Sequence, residues 1–119
     1  MGEKSLRASF TMRWLLQAGL GILLVILLTI HLVVNHWAAP HGLLTYADVV
    51  RYYDIPGVAW MESIFLIVVT VHCLLGLHSI LLDLNLSAGA TRIATALFTC
   101  AGLTAIGYGV WLTRTILSR

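Results

Sequence analysis

The chain has 119 residues, of which 60% are hydrophobic and 10% are charged, and its mean hydropathy is +0.94. A soluble domain of this size could not bury so much apolar surface, so these values exclude the soluble classes and predict an integral membrane protein. The net charge of +2 is too small to indicate binding to nucleic acid. Cys73 and Cys100 both lie in apolar runs, and we expect them to be core-packing thiols.

The first predicted element is a transmembrane helix over residues 13–37, preceded by a short polar lead over residues 1–12. No Asp, Glu, Lys or Arg follows Arg13 until Asp48, so this run exceeds the ~20 residues that cross a hydrocarbon core. The run is also too long for the apolar region of a signal peptide. We therefore expect this helix to be retained.

The connection after the first helix contains Pro40, Gly42 and Pro56, which indicate loops. Inside it, Thr45 and Asp48 have the spacing of a helix-starting cap, and the tyrosines that follow favour the headgroup zone. A short interfacial helix is therefore predicted between the first two spans. With further transmembrane helices predicted over residues 58–82 and 92–117, the chain forms one all-α membrane domain spanning residues 1–119.

Positive charges indicate the orientation of the three spans. The N-terminus and the turn between the last two helices carry four basic residues: Lys4, Arg7, Arg13 and Arg92. The opposite side carries three: Arg51, Arg114 and Arg119. This bias favours a cytoplasmic N-terminus, and we expect a prokaryotic cell (inner) membrane.

Two histidines, His31 and His72, lie inside apolar runs. An ionisable residue within a membrane is costly and is by default a functional hypothesis. Neutral imidazole is a common axial ligand of haem iron. The alternative is that each histidine only bonds to a neighbouring helix.

The second helix places His72, Gly76, Ser79 and Asp83 on one face, because their spacings of 4, 3 and 4 keep them within about 60° of one another. We expect Gly76 to make room for a flat porphyrin beside His72. Asp83 ends the helix, where a carboxylate can take part in proton transfer. His78 faces about 120° away, and we expect it to contact another helix or a haem propionate.

On the first helix, Arg13 and His31 are five turns apart and share a face, which Ser9 joins if the helix begins early. The alternative for Arg13 is a charge that only sets topology. We expect His31 to share its face with apolar residues, namely Leu24, Leu27 and Leu28, rather than with Asn35. His36 faces about 140° away, and we expect it to have a surface role.

The depths of the two buried histidines argue against a shared iron. With antiparallel helices and a cytoplasmic N-terminus, His31 and His72 differ in depth by about 10 Å. One haem iron therefore does not bind both histidines. We expect two haem sites, each completed by a partner subunit.

The stretch from His72 to Asp83 is similar to the H-x3-G-x6-D signature on the second helix of the cytochrome b anchor subunits of succinate dehydrogenase and fumarate reductase (complex II). The stretch W-L-L-Q-A-G-L-G from Trp14, followed by His31, resembles the first helix of that family. Ser9 and Arg13 resemble a Ser/Arg pair that the family uses near the quinone. The sequence departs from the family pattern at Ala18, His78 and Leu84, where relatives often have Arg, Arg and Tyr.

The resemblance implies a set of cofactors and partners. His72 would ligate the proximal haem b and His31 a distal one, as in di-haem members, while Asp83 would lie beside the quinone. The partners implied are a second membrane anchor subunit, an iron–sulfur subunit and a flavoprotein subunit, with quinone as the substrate. Two other functions stay open: a small b-type cytochrome that anchors another dehydrogenase, and a structural membrane subunit without a cofactor.

Overall fold

The computed structural model describes residues 2–43 and 45–119, and the side chains of residues 3–6, which include Lys4, lie outside the described part. The described chain is all-helical. Its elements are α1 (Glu3–Ala38), α2 (Tyr46–Tyr53), α3 (Val58–Asp83) and α4 (Ala88–Leu117). The three long helices are long and apolar enough to cross a membrane, which confirms the three predicted spans. The short helix lies where one was predicted, and its location at a membrane interface stays a prediction.

The predicted polar lead over residues 1–12 is wrong, because α1 begins at Glu3 and runs for 36 residues. Residues 3–12 contain neither Pro nor Gly, so nothing in the chain interrupts the helix before the apolar run begins. At 1.5 Å per residue the helix is about 54 Å long, well beyond the ~30 Å of a hydrocarbon core. Ser9 and Arg13 therefore both lie on α1, one turn apart.

The helix α2 begins with the predicted cap. The Asp48 backbone N–H donates to the Thr45 hydroxyl oxygen at 3.2 Å, and the Thr45 backbone N–H donates to the Asp48 carboxylate at 3.0 Å. The Thr45 hydroxyl also donates to that carboxylate, and these bonds lower the pKa of Asp48. At the bundle, α2 is held by Tyr52, whose side chain is buried, and by Arg119, whose guanidinium lies 4.2 Å from the centre of the Tyr46 ring.

The helix α3 is the centre of the bundle and packs against α1 on one side and α4 on the other. Along the α1–α3 interface, Gln17 lies opposite Gly76, Gly21 opposite His72, and His31 contacts Glu62. The numbers of each pair add to the same value, as expected for two antiparallel helices in a fixed register. This register decides which polar side chains of the two helices meet.

Few side chains are buried within the single chain. The buried apolar residues of the described part are Tyr52, Val58, Val68, Leu81 and Ile116. The expectation that Cys73 and Cys100 pack in the core is wrong, because both are exposed on the surface of the bundle. A three-helix bundle this open places most of its apolar side chains where lipid or another membrane chain covers them.

Candidate functional site

His72 projects from α3 towards α1 at the level of Gly21, where α1 has no side chain. A Cβ atom built on Gly21 would lie 3.3 Å from Cε1 of the His72 ring, so the imidazole is in close contact with the α1 backbone. The Nδ1 atom of His72 is buried and has no hydrogen-bond partner among the described residues. A buried polar atom without a partner costs free energy, so a missing neighbour is expected here.

The space above Gly76, one turn from His72, is occupied by the Gln17 side chain. Its Nε2 atom lies 3.2 Å from the position that a Cβ on Gly76 would take. The Gln17 Oε1 atom is buried and, within the described residues, also has no hydrogen-bond partner. Two unsatisfied polar atoms, on Gln17 and His72, therefore lie on successive turns of the same interface.

Next to these residues, α1 and α3 form a cleft with a volume of about 430 Å³. Arg13, Ser79 and Asp83 line it, so the structure brings these three predicted residues together. Gln17 and His78 add an amide and an imidazole, and the remaining lining is Phe10, Trp14, Leu75 and Leu82. The cleft thus has a cation, a carboxylate and further polar groups set among apolar and aromatic walls.

Ser9 and His78 differ in their relation to this cleft. Ser9 is exposed one turn before Arg13 and is not part of the lining. The Nδ1 atom of His78 lies 3.4 Å from the Thr95 hydroxyl of α4, which confirms the expected polar contact to another helix. His78 also borders the cleft, so it lies between α4 and the Arg13–Asp83 region.

The second histidine, His31, is partly buried and belongs to a polar cluster at the opposite end of the bundle. Its Nδ1 atom lies 2.8 Å from Oε1 of Glu62, and the Tyr52 hydroxyl donates to the same carboxylate oxygen. The Asn35 Nδ2 atom lies 3.2 Å from the Tyr52 hydroxyl and close to both ring nitrogens of His31. The expectation that His31 shares its face with leucines rather than with Asn35 is therefore wrong, because Asn35 is one helical turn further along and contacts the ring. The Phe65 ring stacks on the imidazole with 5.2 Å between the ring centres.

Tyr52 enters this cluster from outside the spans, on α2. Burial and the hydrogen bond to Glu62 raise the pKa of its hydroxyl. The phenol therefore stays protonated and acts as a donor to the carboxylate. A cleft of about 350 Å³ adjoins the cluster and is lined by His31, Leu32, Asn35, Leu43, Tyr52, Tyr53 and Glu62.

The register places the two histidines at clearly different depths. His72 is level with Gly21 and His31 is level with Glu62, which is a separation of ten residues on each helix. At 1.5 Å per residue this corresponds to about 15 Å, somewhat more than the ~10 Å expected from the sequence. The two imidazoles therefore face the same interface as two separate sites.

His31 and His72 could each supply one imidazole to a haem iron. Within the described residues, no group of three or more His, Cys, Asp or Glu side chains could hold a metal ion. Haem iron needs only one imidazole from each side. His72 offers an imidazole with an unsatisfied buried nitrogen beside Gly21 and Gly76, and His31 offers an imidazole that a carboxylate already orients.

Sequence reasoning missed Glu62, Tyr52 and Gly21 as site residues. Glu62 lies inside the predicted span 58–82, where a carboxylate is itself a functional signal that could have identified it. Tyr52 was recognised only as an interfacial aromatic residue. Gly21 carries no signal of its own, because its role depends on the histidine that faces it.

Comparison with known proteins identifies one curated relative. The "Succinate dehydrogenase hydrophobic membrane anchor subunit" of Archaeoglobus fulgidus is 36% identical to this chain over 99 residues, which cover 83% of this chain and 84% of the relative. No protein-family profile and no solved structure matches the chain. The similarity extends over nearly the whole of both proteins, and this chain belongs to the family of succinate dehydrogenase hydrophobic membrane anchor subunits.

Proposed function

We propose that this chain is a haem b-binding anchor of a succinate:quinone oxidoreductase, which carries electrons between an iron–sulfur subunit and membrane quinone. The observation that supports this most directly is the placement of His31 and His72 in one helix interface, ten residues apart in register. Each would be one axial ligand of a separate haem b. The opposite ligands would come from a second membrane anchor subunit, since this chain offers one imidazole at each depth.

His72 would hold the haem that lies nearer the Arg13–Asp83 cleft. When bound, haem b supplies one-electron transfer at its iron. Close packing against Gly21 would fix the plane of the His72 ring. The long Gln17 side chain lies over Gly76, and a change in its rotamer would open the space for a flat ring beside His72.

The cleft near the N-terminal end of α1 would receive the quinone head group. The Arg13 guanidinium donates hydrogen bonds and can hold a quinone carbonyl oxygen as negative charge develops on it. The Asp83 carboxylate, exposed at the end of α3, can pass a proton from the surface to that oxygen. Phe10 and Trp14 provide the aromatic wall that a flat, apolar head group needs.

The location of the cleft indicates the arrangement of the complex. Arg13 and Asp83 lie at the end of the bundle that carries the N-terminus, and the bias of positive charge favours the cytoplasmic side for this end. The iron–sulfur subunit would dock on this face, because electrons must enter close to the quinone. The flavoprotein subunit would bind to the iron–sulfur subunit, outside the membrane.

One alternative has a specific observation in its favour. His31 bonds to Glu62 of α3, and His78 contacts Thr95 of α4, so both histidines bridge helices in the isolated chain. A structural anchor without a cofactor would use histidines in this way. It would leave the buried Nδ1 atom of His72 without a partner among the described residues.

The test compares two histidines of the same helix in the purified, intact complex. His72→Ala is expected to remove one b-type signal from the reduced-minus-oxidised spectrum, because it removes an axial ligand. His78→Ala is the matched control and should keep the full signal, since its ring contacts Thr95 instead. A complete spectrum in the His72→Ala complex would show that His72 is not a haem ligand, and a wild-type complex without any b-type signal would favour the structural anchor.

A further inference from the structure

The cluster around Glu62 contains a buried carboxylate that the proposed function does not use. Glu62 lies four residues into the α3 span, its side chain is 14% exposed, and it contacts both His31 and Tyr52. A carboxylate at such a position is costly unless it is paired. Its partners therefore indicate its role.

We propose that Glu62 is a positioning residue for His31, which fixes the tautomer of the imidazole and sets the electron donation of its Nε2 atom to the distal haem iron. This inference rests on the proposed role of His31 as an axial ligand. It adds a specific residue, Glu62, that determines the reduction potential of that haem. Three contacts within the cluster support this role of Glu62.

The first contact decides the protonation of the ring. Nδ1 of His31 lies 2.8 Å from Oε1 of Glu62, which is the distance of a charge-assisted hydrogen bond. A carboxylate only accepts, so Nδ1 carries the proton and donates it. Nε2 then holds the lone pair that a metal requires, in the arrangement in which a carboxylate supports a ligating histidine.

The second contact is a hydrogen bond to the ring that a bound haem would displace. The Nδ2 atom of Asn35 is 3.3 Å from Nδ1 and 3.2 Å from Nε2 of His31. With the proton on Nδ1, only Nε2 can accept from the Asn35 amide, so this bond would be given up when Nε2 binds iron. The same amide group lies 3.1 Å from the His31 backbone oxygen and 3.2 Å from the Tyr52 hydroxyl, which can accept its protons instead.

The third contact holds the carboxylate itself. The Tyr52 hydroxyl donates to the Glu62 oxygen that accepts from His31. Burial and this bond raise the pKa of Tyr52, so the phenol remains a donor at working pH. Tyr52 therefore competes with His31 for the same oxygen and moderates how strongly the carboxylate draws the Nδ1 proton.

The charge on Glu62 has a predictable effect on the iron. A carboxylate at Nδ1 gives the imidazole anionic character and stabilises the ferric state relative to the ferrous state. Glu62→Gln keeps the shape and an acceptor oxygen but removes the charge. We expect the ferric-to-ferrous equilibrium of the distal haem to move about tenfold towards the ferrous form, which is a rise in potential of about 59 mV for one electron.

The experiment is a redox titration of the intact complex at one fixed pH, with the spectra of the two haems resolved at low temperature. Glu62→Gln should raise the potential of the haem that His31→Ala removes and leave the other haem unchanged. Asp54→Asn is the matched control, because it removes one exposed carboxylate just before α3. Tyr52→Phe should lower the same potential, since Glu62 then accepts more strongly from His31. This variant also tests the role of Glu62 if the Glu62→Gln complex does not assemble.

The outcomes separate the two claims. If His31→Ala removes a haem, but Glu62→Gln shifts its potential no more than Asp54→Asn does, Glu62 is not a positioning residue and the haem assignment stands. The same conclusion follows if Tyr52→Phe leaves that potential unchanged. If His31→Ala removes no haem, the distal site of the proposed function is wrong, and the inference fails with it.

Discussion

The close contact between Gly21 and His72 allows a sharp test of the proximal site. A Cβ at position 21 would lie 3.3 Å from Cε1 and 3.9 Å from Nδ1 of His72, so Gly21→Ala needs an adjustment of only a few tenths of an ångström. Gly21→Leu adds three further carbon atoms in the direction of the ring. They do not fit without displacing the imidazole. Overpacking of this kind costs roughly 1–3 kcal/mol.

The matched control is Gly19→Leu, on the same helix. A Cβ at Gly19 has no atom within 4 Å, so the new side chain meets open space in the described chain. Both leucine substitutions gain about 1 kcal/mol of helix propensity, and this gain cancels in the comparison. The difference between the two variants therefore measures the contact with His72.

The assay is haem content and the reduced-minus-oxidised spectrum of the purified complex. Because 1.4 kcal/mol corresponds to a tenfold change in an equilibrium constant, we expect Gly21→Leu to weaken retention of the proximal haem roughly 5- to 150-fold relative to Gly19→Leu. Gly21→Ala should be close to wild type. Equal proximal signals in the Gly21→Leu and Gly19→Leu complexes would refute the role of Gly21 in placing His72.

Other substitutions test the remaining parts of the account. Asp83→Asn should slow quinone-linked turnover with the haem spectra intact, and unchanged turnover over the full pH range would show that this acid is only a solvated helix end. His31→Ala should abolish the distal haem while His36→Ala keeps it, and the reverse result in low-temperature spectra would transfer the ligand role to His36. Gly102→Ala should destabilise α3–α4 packing by about 1–3 kcal/mol relative to Gly107→Ala, because its Cβ would lie 2.8 Å from a leucine methyl whereas that of Gly107 has no atom within 4 Å. Equal melting temperatures of the two glycine variants would contradict this packing.

The helices were predictable because each leaves a strong local signal. Three apolar runs of membrane length predicted α1, α3 and α4, and the spacing of Thr45 and Asp48 predicted α2. The beginning of α1 was missed, since a helix continues into polar sequence whenever no residue stops it. Polarity marks where a span leaves the membrane and does not mark where its helix begins.

The site was predictable only in part, because helix spacing reveals one face at a time. The shared face of His72, Gly76, Ser79 and Asp83 follows from one helix alone. The pairing of His31 with Glu62 and the filling of the Gly76 position by Gln17 depend on the register between α1 and α3. A sequence without a structure does not provide that register.

The most direct test of the central claim is the haem-to-flavin ratio of the intact complex that contains this chain. The account predicts a ratio of two, falling to one in either the His31→Ala or the His72→Ala complex. A wild-type ratio of one would contradict the second haem site. A ratio of zero would contradict both haem sites and indicate an anchor without a cofactor.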